Sequence, residues 1–188
     1  VGPAARELIA AKKRGARIIS IKPSMEPDAG MADIWLPIRP GTDAALALSM
    51  LHVVIKDDLV DHDFIQKWCY GFEDLAAHVK QYTPCWAENI TGIPAAQIEM
   101  VAREYATCPR ALIDTGNGLE HAPSACDAIR AVAMLMAITG HLDRPGTNLL
   151  KLPPKKSPKD ITFRERYTPE LLNKLVGPEF PVPFQPFM

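Results

Sequence analysis

The residues of this chain best suited to hold a polar ligand lie in two glycine-containing turns. One is Arg-Pro-Gly-Thr-Asp at residues 39–43, between a short apolar strand pattern and a strongly apolar helix pattern. The other is Asp-Thr-Gly-Asn-Gly-Leu-Glu-His at 114–121, which also precedes a helix pattern. Backbone N–H groups at helix N-termini attract polar ligands, and glycine lets a ligand approach the backbone closely. Two such turns predict a nucleotide-like ligand that lies across strand ends.

The carboxylate of Asp43 is the group in these turns with the clearest chemical use. It could accept two hydrogen bonds from the N1–H and N2–H₂ edge of guanine, or bind a ribose. A charged acceptor makes such hydrogen bonds stronger than neutral ones. Two plainer interpretations stay open on the residues alone. Thr42 or Asp43 caps the following helix, and the glycines only connect strands to helices.

The sequence lacks the signatures of several enzyme classes. It contains no Gly-x-Ser-x-Gly, no Walker A loop, no His-Glu-x-x-His and no kinase motif. The strict Gly-x-Gly-x-x-Gly of NAD enzymes is missing, and no cysteines have the Cys-x-x-Cys spacing of a zinc ribbon or local iron–sulfur site. We therefore predict no catalytic and no metal-binding residue in this chain. Free thiols, buried or half-buried, are expected at Cys69, Cys85, Cys108 and Cys126.

Composition excludes two further classes of protein. The 188 residues are 47% hydrophobic and 23% charged, with a formal net charge of −1. This balance offers no basic excess for nucleic acid, and no apolar run reaches the roughly 18–20 residues that a membrane span needs. We predict neither a nucleic-acid partner nor a direct membrane span. The compartment, cytoplasmic or periplasmic, stays open.

The elements that must position the two turns alternate between strands and helices, which predicts an α/β fold. Strand patterns cover residues 17–21, 34–38 and 110–114, a loop is expected at 84–92, and helix patterns cover 4–14, 43–56, 61–71, 72–82, 93–107, 123–139 and 168–175. The amino-acid composition changes after residue 150, where prolines and charged residues predict an extended tail or linker over 151–188. We interpret the chain as a segment of a longer protein, with one α/β domain segment over 1–150.

Six segments, taken in order, resemble one known family. They are GARIISIKP, ADIWLPIRPGTDAALALSMLHVVI, FIQKWCYGFEDL, AENITGIPAAQIEMVAREYA, GNGLEH and IRAVAMLMAITGHLDRPGTNLL. Together they resemble the molybdopterin oxidoreductases of the dimethyl sulfoxide reductase family over about residues 4–150. The resemblance implies a three-layer αβα, Rossmann-like fold, incomplete here. It also implies a bis-molybdopterin guanine dinucleotide cofactor that carries molybdenum or tungsten.

The resemblance assigns cofactor contacts residue by residue. It implies that Asp43 reads guanine and that the turn containing His121 approaches the cofactor nearer the metal. Two positions depart from the family pattern, because Lys22 stands where Asp is usual and His121 where Gln is common. The implied cofactor-binding residues are Lys22, Pro23, Ser24, Gly41, Thr42, Asp43, Asn117, Gly118 and His121.

The resemblance also implies what lies outside this chain. A 4Fe-4S cluster and the protein ligand of the metal are expected in an upstream part of the same catalytic subunit. The expected partners are the remainder of that subunit and an iron–sulfur electron-transfer subunit. The whole enzyme is expected to carry out two-electron or oxygen-atom transfer on a small substrate, and this segment alone is expected to be inactive. A non-redox hydratase or transhydroxylase of the same family, and a non-catalytic nucleotide-binding or interaction domain, are the alternatives.

Overall fold

The computed structural model describes residues 3–25, 29–150 and 168–172. The chain divides into two compact units, Val1–Leu150 and Lys151–Met188. The strands of the first unit are β1 Ile19–Ile21 and β2 Ile34–Leu36, and a 3₁₀ turn covers Ala29–Met31. Its helices are α1 Pro3–Lys13, α2 Asp43–Lys56, α3 His62–Trp68, α4 Phe72–Val79, α5 Pro84–Thr91, α6 Ala95–Thr107, α7 Asn117–Glu120 and α8 Ala125–Ile138. In the second unit, α9 covers Pro169–Leu172, and the rest of the helix expected over 168–175 lies outside the described residues.

Strands β1 and β2 pair in parallel, with Ser20 opposite Trp35 at the centre of the register. Carboxyl ends of parallel strands leave a sheet at the same edge. Residues 22–24 and 37–41 therefore start from one edge, as the α/β prediction requires. Within the described residues the sheet has these two strands, so the structure is mostly helical and gives no confirmation of a three-layer Rossmann-like sheet.

The strand predicted at 110–114 is wrong. The described residues there are irregular and pair with no neighbouring strand. The backbone of Ile113 instead exchanges two hydrogen bonds with the side-chain amide of Asn148. A β-branched, apolar run indicates a half-buried extended segment, but a strand also needs a partner backbone.

Helix α2 lies at the centre of the first unit, as its apolar composition predicts. It packs against α4, α5, α6 and α8, and Leu51 and Val54 are fully buried. Burial of each such side chain stabilises the fold by roughly 1.5–3 kcal/mol. Because α2 is held on several sides, its N-terminal end has a fixed position relative to α5 and α8.

Residues 84–92 form a helix rather than the expected loop. Helix α5 starts with Pro84 in its first turn, where a missing N–H costs no hydrogen bond. The Thr83 hydroxyl accepts a hydrogen bond from Trp86 N at 3.3 Å, and Gly92 ends the helix with φ +78°. These are ordinary start and stop signals, separated by only two turns of helix.

The cysteines are more exposed than predicted. Cys69 is half-buried, whereas Cys85, Cys108 and Cys126 are exposed, and all are free thiols. Each of the exposed thiols lies on a solvent-facing helix position or just after a helix end, where no other element covers it. Burial raises the pKa of the Cys69 thiol. None of the helices in the described residues is both long and apolar enough to cross a membrane.

Candidate functional site

The first predicted turn is a tight reversal between β2 and α2. Thr42 N donates to Arg39 O at 3.3 Å, and the Thr42 hydroxyl donates to the same oxygen at 2.7 Å. Proline at the second position and glycine with φ +78° at the third are typical of a type II turn. The prediction that the Thr42 side chain caps α2 is wrong. Thr42 stands at the N-cap position, but its hydroxyl bonds backwards to the turn.

Arg39 anchors this turn to the C-terminal end of α5. Its guanidinium Nη1 donates to Asn89 O at 2.9 Å and to Ile90 O at 3.2 Å, and its backbone N–H donates to Thr91 O at 2.9 Å. Carbonyl groups at a helix C-terminus carry partial negative charge, which favours a cation there. A side chain at Gly92 would crowd Arg39, since a Cβ would lie 3.3 Å from Arg39 Nε. The turn is therefore held by the helix that sequence analysis missed.

Asp43 is the first residue of α2 and is half-buried. Within the part of the chain that the structure describes, its carboxylate makes no hydrogen bond or ion pair. The backbone N–H groups of Asp43 and Ala44 likewise have no acceptor among those residues, because the first N–H bonded to the turn is that of Ala45. An acceptor and two donors thus lie together at one helix end, free to bind a polar ligand.

The second predicted turn forms the short helix α7 and the residues around it. Leu119 N donates to Gly116 O at 3.1 Å, which tightens the turn before the helix. Asn117, Gly118 and His121 are exposed, and a Cβ added at Gly116 or Gly118 would meet open space. The backbone of this loop is therefore accessible to a ligand on its outer side.

The two turns lie next to each other in the fold. A Cβ added to Gly41 would lie 4.0 Å from the Cβ of Ala122, the residue after His121. Helices α2 and α8 pack together, and this contact joins the segments that lead into their N-terminal ends. The structure thus brings together two turns that are about 75 residues apart in the sequence.

The third predicted loop, Lys22 to Ser24, leaves the sheet at the edge from which residues 37–41 also leave. Its backbone is fixed to β2, because Lys22 N donates to Leu36 O at 3.2 Å. The Trp35 indole N–H also donates to Lys22 O at 3.0 Å. Pro23 and Ser24 are exposed. Their place at this edge fits the prediction, and a contact with a ligand stays a prediction.

A second Arg-Pro-Gly-Thr turn lies at residues 144–147 and was not among the predicted turns, although the repeated tetrapeptide is visible in the sequence. Arg144 Nη2 donates to Asp61 Oδ2 at 2.9 Å, while Asp61 Oδ1 accepts from Phe64 N at 2.8 Å at the start of α3. These contacts, the Phe64 N–H first, lower the pKa of Asp61. This second turn therefore fastens the segment after α8 to α3.

Other surface features do not coincide with the predicted residues. A groove of about 280 Å³ lies beside α1 and is lined by Leu8, Ile9, Lys12, Lys13, Ile18 and Met31. Among the described residues, no group of three or more His, Cys, Asp or Glu side chains could hold a metal ion. The two adjoining turns, at residues 39–43 and 114–121, therefore lie apart from this groove, on the surface of the first unit.

Comparison with known proteins identifies the family. The family profile for molybdopterin oxidoreductases matches residues 3–162.

The chain belongs to the molybdopterin oxidoreductase family.

Two curated relatives illustrate the range of this family. The chain is 42% identical over 134 residues to acetylene hydratase from Syntrophotalea acetylenica, a match that covers 71% of this chain and 18% of that protein. It is 37% identical over 159 residues to the dimethyl sulfoxide reductase DmsA of Escherichia coli, covering 74% of this chain and 20% of DmsA. The chain therefore spans about a fifth of the length of these molybdopterin oxidoreductase relatives.

The fold agrees with the family assignment. The solved structure of acetylene hydratase from Pelobacter acetylenicus superimposes with a TM-score of 0.71 at 42% identity, covering 73% of this chain and 19% of that one. The resemblance seen in the sequence is thus confirmed. The mixed helical structure with few strands resembles the fold of this relative, and the three-layer Rossmann-like sheet stays a prediction. The family implies a molybdopterin cofactor with molybdenum or tungsten.

Proposed function

We propose that this chain forms one wall of the cofactor site of a molybdopterin oxidoreductase and anchors the guanine dinucleotide part of a bis-molybdopterin guanine dinucleotide. Residues 41–43 hold the guanine, and residues 117–121 extend the wall beside it. Lys22, Pro23 and Ser24 contribute from the neighbouring strand end. The single observation that carries this proposal is the half-buried carboxylate of Asp43, which has no partner among the described residues and lies in a turn that adjoins Ala122.

The donor set at α2 suits a guanine nucleotide. A carboxylate without a protein partner accepts from the N1–H and N2–H₂ edge of guanine. The N–H groups of Asp43 and Ala44, for which the described ranges contain no acceptor, suit phosphate or carbonyl oxygens. The positive φ of Gly41 keeps the turn narrow, and the open space beside Gly118 leaves room for the ligand to approach the protein backbone. These residues therefore fit the group that the family implies.

In this proposal the protein residues bind and orient, and the cofactor supplies the redox chemistry of its metal. Asp43 fixes the rotation of the purine because it accepts at two adjacent N–H groups. Arg39 holds the turn against α5, so the carboxylate does not move when the ligand enters. In this proposal a 4Fe-4S cluster, the protein ligand of the metal and the remaining wall belong to other parts of the catalytic subunit, and an iron–sulfur subunit would exchange electrons with it. The whole enzyme carries out two-electron or oxygen-atom transfer on a small substrate.

A second candidate function is non-redox hydration. The observation that favours it is the 42% identity to acetylene hydratase, in both the curated sequence and the solved structure. In that case residues 41–43 and 117–121 hold the same cofactor, and only the reaction at the metal differs. Electron uptake by the complete enzyme from a reductant during turnover supports the redox function, and turnover with no net electron transfer supports hydration.

Binding of guanosine diphosphate to the 188-residue chain tests the anchoring role. Isothermal titration is run with GDP and with ADP, because adenine lacks the paired N–H donors of guanine. The wild type is expected to bind GDP more tightly than ADP, and Asp43→Asn to lose about tenfold in GDP affinity together with this preference. Asp63→Asn, which removes an exposed first-turn carboxylate from α3, is the matched control and should bind like the wild type. Equal affinities for GDP and ADP in the wild type would overturn the proposal.

A further inference from the structure

The chain contains the same turn twice, with a different residue after each copy. In the second turn Thr147 N and Thr147 Oγ1 both donate to Arg144 O, at 3.0 and 2.9 Å, and Gly146 has φ +87°. These bonds repeat those of the 39–42 turn. The residue that follows is Asp43 in the first copy and Asn148 in the second. The first turn presents a carboxylate that has no partner in the described part of the chain, whereas the second presents an amide that is already hydrogen-bonded.

The amide of Asn148 pairs with the backbone of Ile113 as a neighbouring strand would. Ile113 N donates to Asn148 Oδ1 at 2.9 Å, and Asn148 Nδ2 donates to Ile113 O at 2.7 Å. Only an amide side chain supplies an acceptor and a donor in this geometry, since a carboxylate has no proton to donate at neutral pH. Asn148 therefore satisfies both backbone groups of Ile113.

The backbone of Asn148 is itself fixed. Asn148 N donates to His141 O at 3.3 Å, and Asp143 N donates to Asn148 O at 2.8 Å. His141 is buried and its Nε2 bonds to Tyr105 O at 3.0 Å in α6. The amide is thus attached, through the segment after α8, to the core of the first unit.

Ile113 is the last fixed point before the loop at 114–121. Among the described residues, Asp114 and Thr115 make no hydrogen bond, and both are exposed. At the other end the loop joins α8, where Ala125 N donates to Ala122 O at 3.0 Å. The position of residues 117–121 beside Gly41 accordingly depends on the Ile113 attachment and on the start of α8.

We propose that Asn148 is a positioning residue for the cofactor wall: its amide holds Ile113 and thereby sets residues 117–121 beside the 41–43 turn. This inference rests on the proposed function, since it assigns a role toward the same ligand. Asn148 does not touch the ligand. It acts through Ile113, and it stands after the second turn at the position that Asp43 has after the first.

The test uses amide NMR of the 188-residue chain, with GDP as the probe. In the free protein, Asn148→Asp places a charged oxygen against Ile113 O where the amide had a donor. Repulsion between these two oxygens is expected to open the contact, so hydrogen exchange at the Ile113 amide should become about tenfold faster. On addition of GDP, the wild type is expected to show chemical-shift changes over residues 41–45 and 117–122. In Asn148→Asp the changes over 117–122 are lost, while those over 41–45 persist.

Two further variants make the result decisive. Asn148→Ala removes both hydrogen bonds without adding charge, so it should lose the same GDP-induced shifts over residues 117–122. It replaces Asn148→Asp in the test if that variant fails to fold. Gln81→Glu makes the same amide-to-carboxylate change at an exposed side chain that donates to His78 O, and it should behave like the wild type. A purely structural role would change stability and leave the GDP-induced shifts over 117–122 in place.

The outcomes separate this inference from the proposed function. If GDP shifts both segments in the wild type and equally in both Asn148 variants, the positioning role is overturned and the anchoring role stands. If GDP shifts neither segment in the wild type, the anchoring role fails and the positioning role fails with it. Loss confined to residues 117–122 supports both.

Discussion

The carboxylate of Asp61 occupies the space in which a side chain at Gly140 would lie. An added Cβ at Gly140 would clash with Asp61 Oδ2, the same oxygen that accepts from Arg144 at 2.9 Å. The backbone of Asp61 also donates to Ile138 O at 2.7 Å. The end of α8 and the start of α3 are thus packed without room for a side chain between them.

Gly140→Ala should destabilise the protein by about 2 kcal/mol or more, because it forces a side chain into φ +68° and displaces the Asp61 carboxylate. The measurement is the free energy of unfolding from urea denaturation. Gly30→Ala is the control, since a Cβ there meets open space and its φ is not positive. Equal unfolding free energies for the two variants would contradict the packing described here.

Asp61→Asn should lower stability at neutral pH by about 1 kcal/mol, because the amide loses the ion pair with Arg144. The native pKa of Asp61 is lowered, chiefly by the Phe64 N–H and also by Arg144. Its stabilising contribution is therefore complete above the unfolded-state value of about 4 and is lost as pH falls through the lower native pKa. Urea denaturation from pH 7 to pH 2 should show the two proteins converging in acid. A difference that stays constant over this range would count against the assignment.

His141 should make the protein less stable in mild acid. Burial lowers the pKa of His141, because the charged ring is poorly solvated there, and the nearby Arg144 lowers it further. The hydrogen bond to Tyr105 O and the Asp61 carboxylate act in the opposite direction and are outweighed. Stability from this group is present above the unfolded-state pKa of about 6.5 and is lost as pH falls through the lower native value. The wild type should lose more stability between pH 7.5 and pH 5 than His141→Gln does, as measured by urea denaturation.

Arg39→Ala should release the 39–43 turn from α5. The guanidinium donates to Asn89 O and Ile90 O, so its loss should cost about 1–3 kcal/mol of stability. Under the proposed function it should also weaken GDP binding by roughly fivefold, measured by titration well below the unfolding temperature. Arg17→Ala, which removes an exposed ion pair with Glu104, is the matched control. GDP affinity that is unchanged in Arg39→Ala would argue against an anchoring role for α5.

Local signals in the sequence were sufficient for the main helices and for the turns. The apolar faces of α2, α6 and α8 and the glycine after α8 are encoded within short windows, and these helices are confirmed within about two residues at each end. The Pro-Gly pair at 40–41 predicts the reversal that the structure contains. Family membership was also readable, because six ordered segments carry it and the family comparison confirms it.

The candidate site was only partly predictable. The sequence indicated which turns carry polar groups, but the Gly41–Ala122 contact depends on how α2 packs against α8. The sequence also could not predict that the Asp43 carboxylate has no partner among the described residues, since either Thr42 or Asp43 could have capped α2. Helix α5 was missed because eight residues give too short a pattern to separate from a loop.

The sequence by itself determined most of the helices, the reversal at residues 39–42 and the family, because backbone preferences and apolar periodicity act between near neighbours. Tertiary structure alone decided which extended segment became a strand. Strand Ile19–Ile21 pairs with the backbone of β2, whereas the backbone of Ile113 is hydrogen-bonded to the side chain of Asn148. Hydrogen bonds between distant segments depend on packing that no local pattern specifies, and the positions of both ligand-facing turns depend on that packing.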